Sequence, residues 1–296
     1  METSGPDYLT TKELAELLRI KERKVYDLAS NGEIPCVRAV GKLLFPAGEI
    51  AAWMGAARSG PQVEDERRPL VLAGSHDPLL DWALRQSGSG LAAFFDGSCD
   101  GLERFANREA MACGLHLRGT DGSWNVDAVA KRFSRDPVVL IEWARRECGL
   151  IVASGNPKAI AGLSDLPALR VARRQAGAGG SVHFEALLFE AGLDFEILDG
   201  PEALARTEDD LARLVMEERA DAAFGLRAVA AQFRLGFVPL AEDRFDLLVG
   251  RKAYFEPSFQ RLTGFMRSPE FAERARTMAG YDVSRTGMVH FNGGGR

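Results

Sequence analysis

The chain has 296 residues, 46% of them hydrophobic and 27% charged, with a formal net charge of −5. These values exclude a wholly disordered chain and argue against a protein that coats nucleic acid or a membrane surface through bulk charge. The length allows two or three domains with sizeable cores.

The opening segment METSGPDYLTTKEL lacks the basic-then-apolar pattern of a signal peptide, and no apolar run reaches the roughly 18 residues of a membrane span. A cytoplasmic protein without a membrane partner is therefore expected. Cys36, Cys99, Cys113 and Cys148 form no CxxC pair and have no histidine at ligand spacing. Reduced, buried thiols and no metal are expected from them.

Residues 1–56 read as a small helical unit with a hairpin. LTTKELAELL opens on a capping box, Thr10 with Glu13 three residues later, and Leu14, Leu17 and Leu18 are expected on its apolar face. A second helix, about Glu22 to Ser30, turns Val25 and Leu28 inward, and Asn31-Gly32 followed by Pro35 ends it. CVRAVGKLLF alternates around Gly41-Lys42 as a hairpin does. PAGEIAAWM is a last helix, with Pro46 near its first turn and Trp53 as a core anchor.

This order of elements, with Leu9, Thr10, Glu13, Ala15, Leu17, Leu18, Val25, Tyr26, Gly32, Ile34, Pro35, Gly41, Phe45, Ile50 and Trp53, resembles the MerR/excisionase-type winged helix-turn-helix. The resemblance implies DNA binding and a double-stranded operator. Lys21, Arg23, Lys24 and Tyr26 then belong to the outer face of the recognition helix, while Arg38 and Lys42 sit on the wing, suited to phosphate or minor-groove contact. One small unit reads few base pairs, so a homodimer on two half-sites is expected.

GAARSGPQVEDERRP is polar and aperiodic, and residues 57–68 are read as a linker. From there to about residue 290 strands and helices alternate, which predicts an α/β domain with a largely parallel sheet. PLVLAG, GLAAFFDGS and MACGLHL are strands; DPLLDWALRQ and GLERFANREA are helices. Two long strand-like runs, DPVVLIEWARRECGLIVASGNP and FVPLAEDRFDLLVGR, bracket an inner segment of about 158–236. That layout predicts two lobes joined by two crossing strands. The terminal NGGGR is expected to fray.

In addition, GSHDP, CGLHL, WNVDAV, CGLIVASGNPKAI, RRQAGAGG, ADAAFG and GYDVSRTG make residues 71–287 resemble two-lobed type II periplasmic-binding-protein-like domains. The similar domains are cytoplasmic, follow a winged helix, and are related to molybdate-binding proteins and to LysR effector domains. The fold expected for the whole chain is thus a winged helix-turn-helix followed by a two-lobed α/β effector domain.

The run Ser75-His76-Asp77 has the residue types of a hydrolytic triad, but three consecutive residues cannot converge on one another as a triad requires, and no GxSxG elbow occurs. Catalytic residues are therefore not expected. In an open α/β sheet ligands meet strand carboxyl ends and helix N-termini. Asp77 is placed as N-cap of the helix at Pro78, Ser98 just before a helix from about Gly101, and Ser181 as cap of a helix after the Gly/Ala loop. Ser75, His76, Ser98, His116, Arg174, Gln175, Gly179 and Ser181 are the expected ligand-binding residues.

The resemblance implies a small oxyanion, molybdate or tungstate, as effector, with no resident cofactor. Two features leave a larger or less charged ligand open, such as a pterin-type cofactor or a small organic acid. Asp77 brings a carboxylate close to the site. Ala178, Gly180 and Ser181 stand where similar loops, as in RQxGSGTR, carry a hydroxyl and an arginine. The functional expectation is a one-component regulator whose effector controls DNA binding; the other is a cytoplasmic binding or chaperone module for molybdenum, its pterin cofactor or an organic anion.

Overall fold

The computed structural model describes residues 8–39, 41–56, 68–119, 122–175, 177–202 and 204–294. The expected linker, apart from Arg68, lies outside these residues, as does Ala176 of the Gly/Ala loop. The chain divides into two compact units, Met1–Glu66 and Arg67–Arg296.

The first unit runs β1 (Tyr8–Thr10), α1 (Thr11–Leu18), α2 (Glu22–Ser30), β2 (Val37–Ala39), β3 (Lys42–Pro46) and α3 (Ala47–Ala56). The capping box forms: Thr10 N–H donates to Glu13 Oε2 at 2.7 Å, and Glu13 N–H to Thr10 Oγ1 at 3.3 Å. Beyond the hairpin anticipated around Gly41, β1 adds a third strand, giving the order β1-β3-β2. Leu14, Val25, Phe45 and Ile50 form the core, with Leu28 and Trp53 packed partly buried against it. Leu17 is a correction, being 53% exposed. The inward stripe follows buried Thr11, Leu14 and Ala15 and half-buried Leu18 at i, i+3, i+4 and i+7, and Leu17 falls beside it.

The second unit begins β4 (Val71–Gly74), α4 (Pro78–Gln86), β5 (Ala92–Phe94), α5 (Ser98–Ala106), β6 (Ala112–Leu115), α6 (Val126–Phe133) and β7 (Val138–Val152). It continues β8 (Val171–Ala172), α7 (Gly179–Glu190), α8 (Glu208–Met216), β9 (Ala222–Leu226), α9 (Arg227–Gln232) and β10 (Gly236–Gly250). The chain closes with α10 (Arg251–Tyr254), α11 (Pro257–Phe265), α12 (Pro269–Thr277), β11 (Tyr281–Asp282) and β12 (Val289–Asn292).

The sheet has the order β5-β4-β6-β10-β7-β9-β8, with β11 and β12 also on β7. It is mixed rather than largely parallel. Among the described strands β5-β4-β6 and β8-β9 pair in parallel, whereas β7 and β10, fifteen residues each, run antiparallel to one another along their whole length. Side-by-side strands of that length leave one lobe and return from the other, so they must oppose in direction.

Each lobe has its own core. Leu72, Leu79, Trp143, Phe245, Phe259 and Phe271 belong to the first; Leu150, Leu166, Val171, Leu188, Leu211 and Val229 belong to the second. β7 and β10 feed both. The chain's end is held rather than frayed as far as Gly294: Gly293 N–H donates to Val138 O at 2.9 Å, Gly294 N–H to Ser134 O at 3.1 Å, and Arg251 Nε to Asn292 Oδ1 at 2.9 Å.

Candidate functional sites

The first site lies where β4, β5 and β6 end against the inner-lobe loop. Ser75 follows β4, Ser98 opens α5, and both are buried, at 1% and 0% exposure. Their hydroxyls are 2.7 Å apart. Three glycines permit this. A Cβ on Gly101 would stand 2.3 Å from Gly74 Cα, and one on Gly74 would stand 2.1 Å from Gly114 O, so α5 rests directly on the strand ends. The helix begins at Ser98, three residues earlier than the sequence suggested, because Gly97 at φ +111° turns the chain before it.

Ser98 Oγ also accepts the His116 N–H at 3.2 Å. That bond occupies an acceptor lone pair and leaves the Ser98 O–H free to donate.

Across from these hydroxyls is the first turn of α7. Its N-cap, Ala178, makes no side-chain capping bond, and neither does Gly97 at α5. The two helix N-termini meet: a Cβ on Gly97 would be 3.2 Å from Ala178 Cα. Cys99 N–H reaches Gly177 O at 3.4 Å and Gln175 Nε2 reaches Asp96 O at 3.5 Å. Gly179 lies against His116, whose Nε2 would be 2.7 Å from an added Cβ. The lobes are therefore closed upon each other in this structure. Uncapped helix N-termini carry partial positive charge and free N–H groups, the usual furniture of an anion site.

Asp77 caps α4 as expected, accepting Leu80 N–H at 2.7 Å. It also accepts Trp143 Nε1 at 3.0 Å, Arg146 Nη1 at 2.9 Å and Tyr281 Oη at 2.5 Å. Arg146, 1% exposed, continues to Asp243 through Nε at 2.8 Å and Nη2 at 2.5 Å, and His116 Nδ1 is 2.9 Å from Asp243 Oδ2. Burial alone would raise the Asp243 pKa and lower that of Arg146, but their mutual attraction holds the carboxyl well below its ordinary range and the guanidinium well above its own. The Asp77 charge is thus matched inside the protein and its oxygens are occupied.

This network was missed at the sequence level. Its signal is charged residues inside otherwise buried strands, Arg146 in WARRECGLIV and Asp243 in AEDRFDLLVG.

The other anticipated ligand residues divide. His76 stands edge-on to Phe95 at 5.6 Å with Nδ1 buried and unpartnered, and Gln175 Oε1 is likewise buried and unpartnered. Arg174 is committed to Glu208 at 2.5 Å and to Arg206 O at 2.8 Å, leaving only Nε without a partner. Ser181 is not an N-cap. It is the third residue of α7, and its hydroxyl bonds Glu185 Oε1 at 3.1 Å, because Gly179 and Gly180 already adopt helical geometry. Arg174 and Ser181 line a separate groove on the inner lobe with Glu185, Phe189 and Phe195.

In the first unit Lys21, Arg23, Lys24 and Tyr26 are exposed on or just before α2, and Arg38 and Lys42 are exposed on the hairpin. A groove of about 650 Å³ brings Tyr26, Arg38 and Lys42 together with Lys12, a basic residue the sequence reading overlooked. Lys21, Arg23 and Lys24 lie outside that groove on the helix face.

Residues 81–267, more than half of the chain, match the family model described as a PBP superfamily domain, and residues 8–58 match a helix-turn-helix domain. The chain belongs to the PBP superfamily domain family, with a helix-turn-helix domain at its N-terminal side. It is 24% identical over 299 residues to the uncharacterized protein YvgK of Bacillus subtilis (strain 168), covering 95% of this chain and 96% of that one. An uncharacterized protein of the ferredoxin 2Fe-2S gene 5′ region of Clostridium pasteurianum is 27% identical over 99 residues, 33% of this chain and 88% of that one. Among solved structures, a Clostridium perfringens protein assigned as a phosphate ABC transporter substrate-binding protein, with bound phosphate, superposes with a TM-score of 0.54 at 11% identity, covering 70% of this chain and 96% of that one. That likeness speaks for the fold. Among the described residues no helix is long and apolar enough to cross a membrane.

Proposed function

We propose that this chain is a cytoplasmic one-component transcriptional regulator in which a small oxyanion of the molybdate or tungstate type, bound between the lobes, controls how paired helix-turn-helix units hold an operator. The combination of a DNA-binding unit with a PBP-like domain supports ligand-responsive regulation. The buried pair of Ser75 and Ser98 hydroxyls, set against two uncapped helix N-termini, carries the choice of an oxyanion.

The chemistry available is mainly donation, from two hydroxyls, the His76 ring, and the first N–H groups of α7 and, apart from that of Cys99, of α5; Gln175 offers Oε1 as an acceptor, its Nε2 being turned to Asp96 O. The neighbouring Asp77 carboxylate accepts four internal donors, two on each oxygen, so a ligand proton finds no acceptor there. A fully ionised dianion fits better than hydrogen phosphate. The expected domain limits, 1–56, 57–68 and 69–290 with an inner lobe of about 158–236, assign the hinge to β7 and β10. A ligand that binds only the closed arrangement shifts the open–closed balance by its differential affinity.

The test is a thermal-shift titration of the full chain with molybdate, tungstate, sulfate, phosphate and small carboxylates. A ligand at about 100 times its Kd adds roughly 2.7 kcal/mol. Ser75→Ala and Ser98→Ala should each weaken the responding oxyanion by about 10- to 100-fold, the loss of one hydrogen bond to a charged group. Response only to a carboxylate or pterin would replace the oxyanion by a larger ligand. Silence in an operator-shift assay on the DNA upstream of its own gene would instead favour a binding module without regulation.

A further inference from the structure

We infer that Cys148, His183 and Asp243 form a buried site for a thiophilic divalent cation of the zinc class. The three residues come from β7, α7 and β10 and are all buried, and their ligand atoms lie within 4.8 Å of one another. Tetrahedral coordination at about 2.0–2.3 Å would set such atoms about 3.5 Å apart, a contraction within reach of side-chain rotation.

Each donor is prepared for the role. His183, 1% exposed, holds its Nδ1 buried without a partner, between the edges of Trp124 at 4.9 Å and Phe224 at 5.3 Å. The Cys148 thiol has only a distant contact with Arg146 O, at 3.8 Å. Asp243 is ionised, and its Oδ1 receives a single donor, Arg146 Nε. Arg146 and His116 hold that carboxylate in place as outer partners of metal ligands do.

Charge balance admits a divalent ion, and the donor set selects its class. Asp77 and Asp243 contribute −2 and Arg146 +1, leaving −1 buried while the thiol is protonated. A divalent ion entering as Cys148 releases its proton to solvent neutralises that remainder; a monovalent ion would do so only with the thiol still protonated, without a thiolate ligand. Cys, His and carboxylate together suit zinc, and three protein ligands leave a fourth position open. The site stands apart from the nature of the cleft ligand. One residue separates them, since His116 donates its backbone N–H to Ser98 and meets Asp243 through ring Nδ1.

The full chain, reduced and stripped with a chelator, is titrated with Co²⁺ and then Zn²⁺ in buffer free of oxyanions, both in the native state and after refolding with the metal present. Expected are one Co²⁺ per chain, a thiolate-to-cobalt charge-transfer band, tetrahedral visible bands and displacement by Zn²⁺. Cys148→Ser should abolish the band and His183→Gln should weaken Zn²⁺ by at least about 10-fold, while the Cys36→Ser, Cys99→Ser double variant keeps both. If Cys148→Ser does not fold, the Zn²⁺ affinity of His183→Gln decides, and an unchanged affinity overturns the proposal. No band in either preparation, or one that persists in Cys148→Ser or vanishes in the Cys36/Cys99 variant, overturns the proposal.

Discussion

A guanidinium at 1% exposure is tolerated only where its charge is answered on every side. Arg146 meets that condition through Asp77 and Asp243, with its face 4.7 Å from the Phe245 ring centroid. Such a triad contributes little net stability over a well-packed apolar set, but removing one member strands the others. Arg146→Met should therefore cost about 3–5 kcal/mol, read as a lower urea midpoint of the full chain. His183 supplies a pH dependence. Its folded pKa is depressed from 6.5 to about 4, so between those values the unfolded chain takes up a proton that the folded one refuses. Stability is present above about pH 6.5 and is lost as pH falls towards 4, by on the order of 3 kcal/mol. With a chelator present, His183→Gln should flatten that part of the stability–pH curve. None of these partners was evident from residue types, since Asp77, Arg146 and Asp243 stand 69 and 97 positions apart.

At the scale of elements, α5 owes its place to the absence of side chains. Gly101→Ala puts a methyl group where Gly74 Cα and the Cys113 thiol already are, so the helix must lift off β4. A cost of about 1–3 kcal/mol is expected, together with weaker oxyanion binding as Ser98 is carried away from Ser75. Gly264→Ala in α11 has nothing within 4 Å of the new methyl and should instead stabilise by about 0.5–1 kcal/mol. Paired urea melts of the two variants check both signs. Element starts and stops followed local chemistry: the Thr10–Glu13 box and the Asp77 cap were readable because each acts over three residues. The start of α7 was misplaced because Ser181 resembles a cap, while the turn before it is made by glycines whose helical geometry leaves no mark in the pattern.

At the scale of the whole molecule, the proposed function divides recognition from response between the two units. Arg23→Ala with Lys24→Ala should weaken DNA binding across sequences and reduce the slope of log affinity against log salt by up to about 2 if both residues contact phosphate, in a gel-shift series at several salt concentrations. Oxyanion affinity should stay unchanged. Arg38→Ala and Lys42→Ala test whether the groove they share with Tyr26 and Lys12 meets DNA as well.

Two long runs in the strand pattern, DPVVLIEWARRECGLIVASGNP and FVPLAEDRFDLLVGR, implied crossing strands, and the alternation of strands and helices implied an α/β body. The Thr10–Glu13 capping box, the Asn31-Gly32 stop and the hairpin turn defined the small N-terminal unit. All of these signals act between residues a few positions apart, which is why the sequence by itself determined them. The mixed direction of the sheet, the filling of Asp77 by Arg146, and the meeting of Cys148, His183 and Asp243 were decided only by the tertiary structure. There β7 and β10 lie side by side, and residues about a hundred positions apart become neighbours within one hydrogen bond.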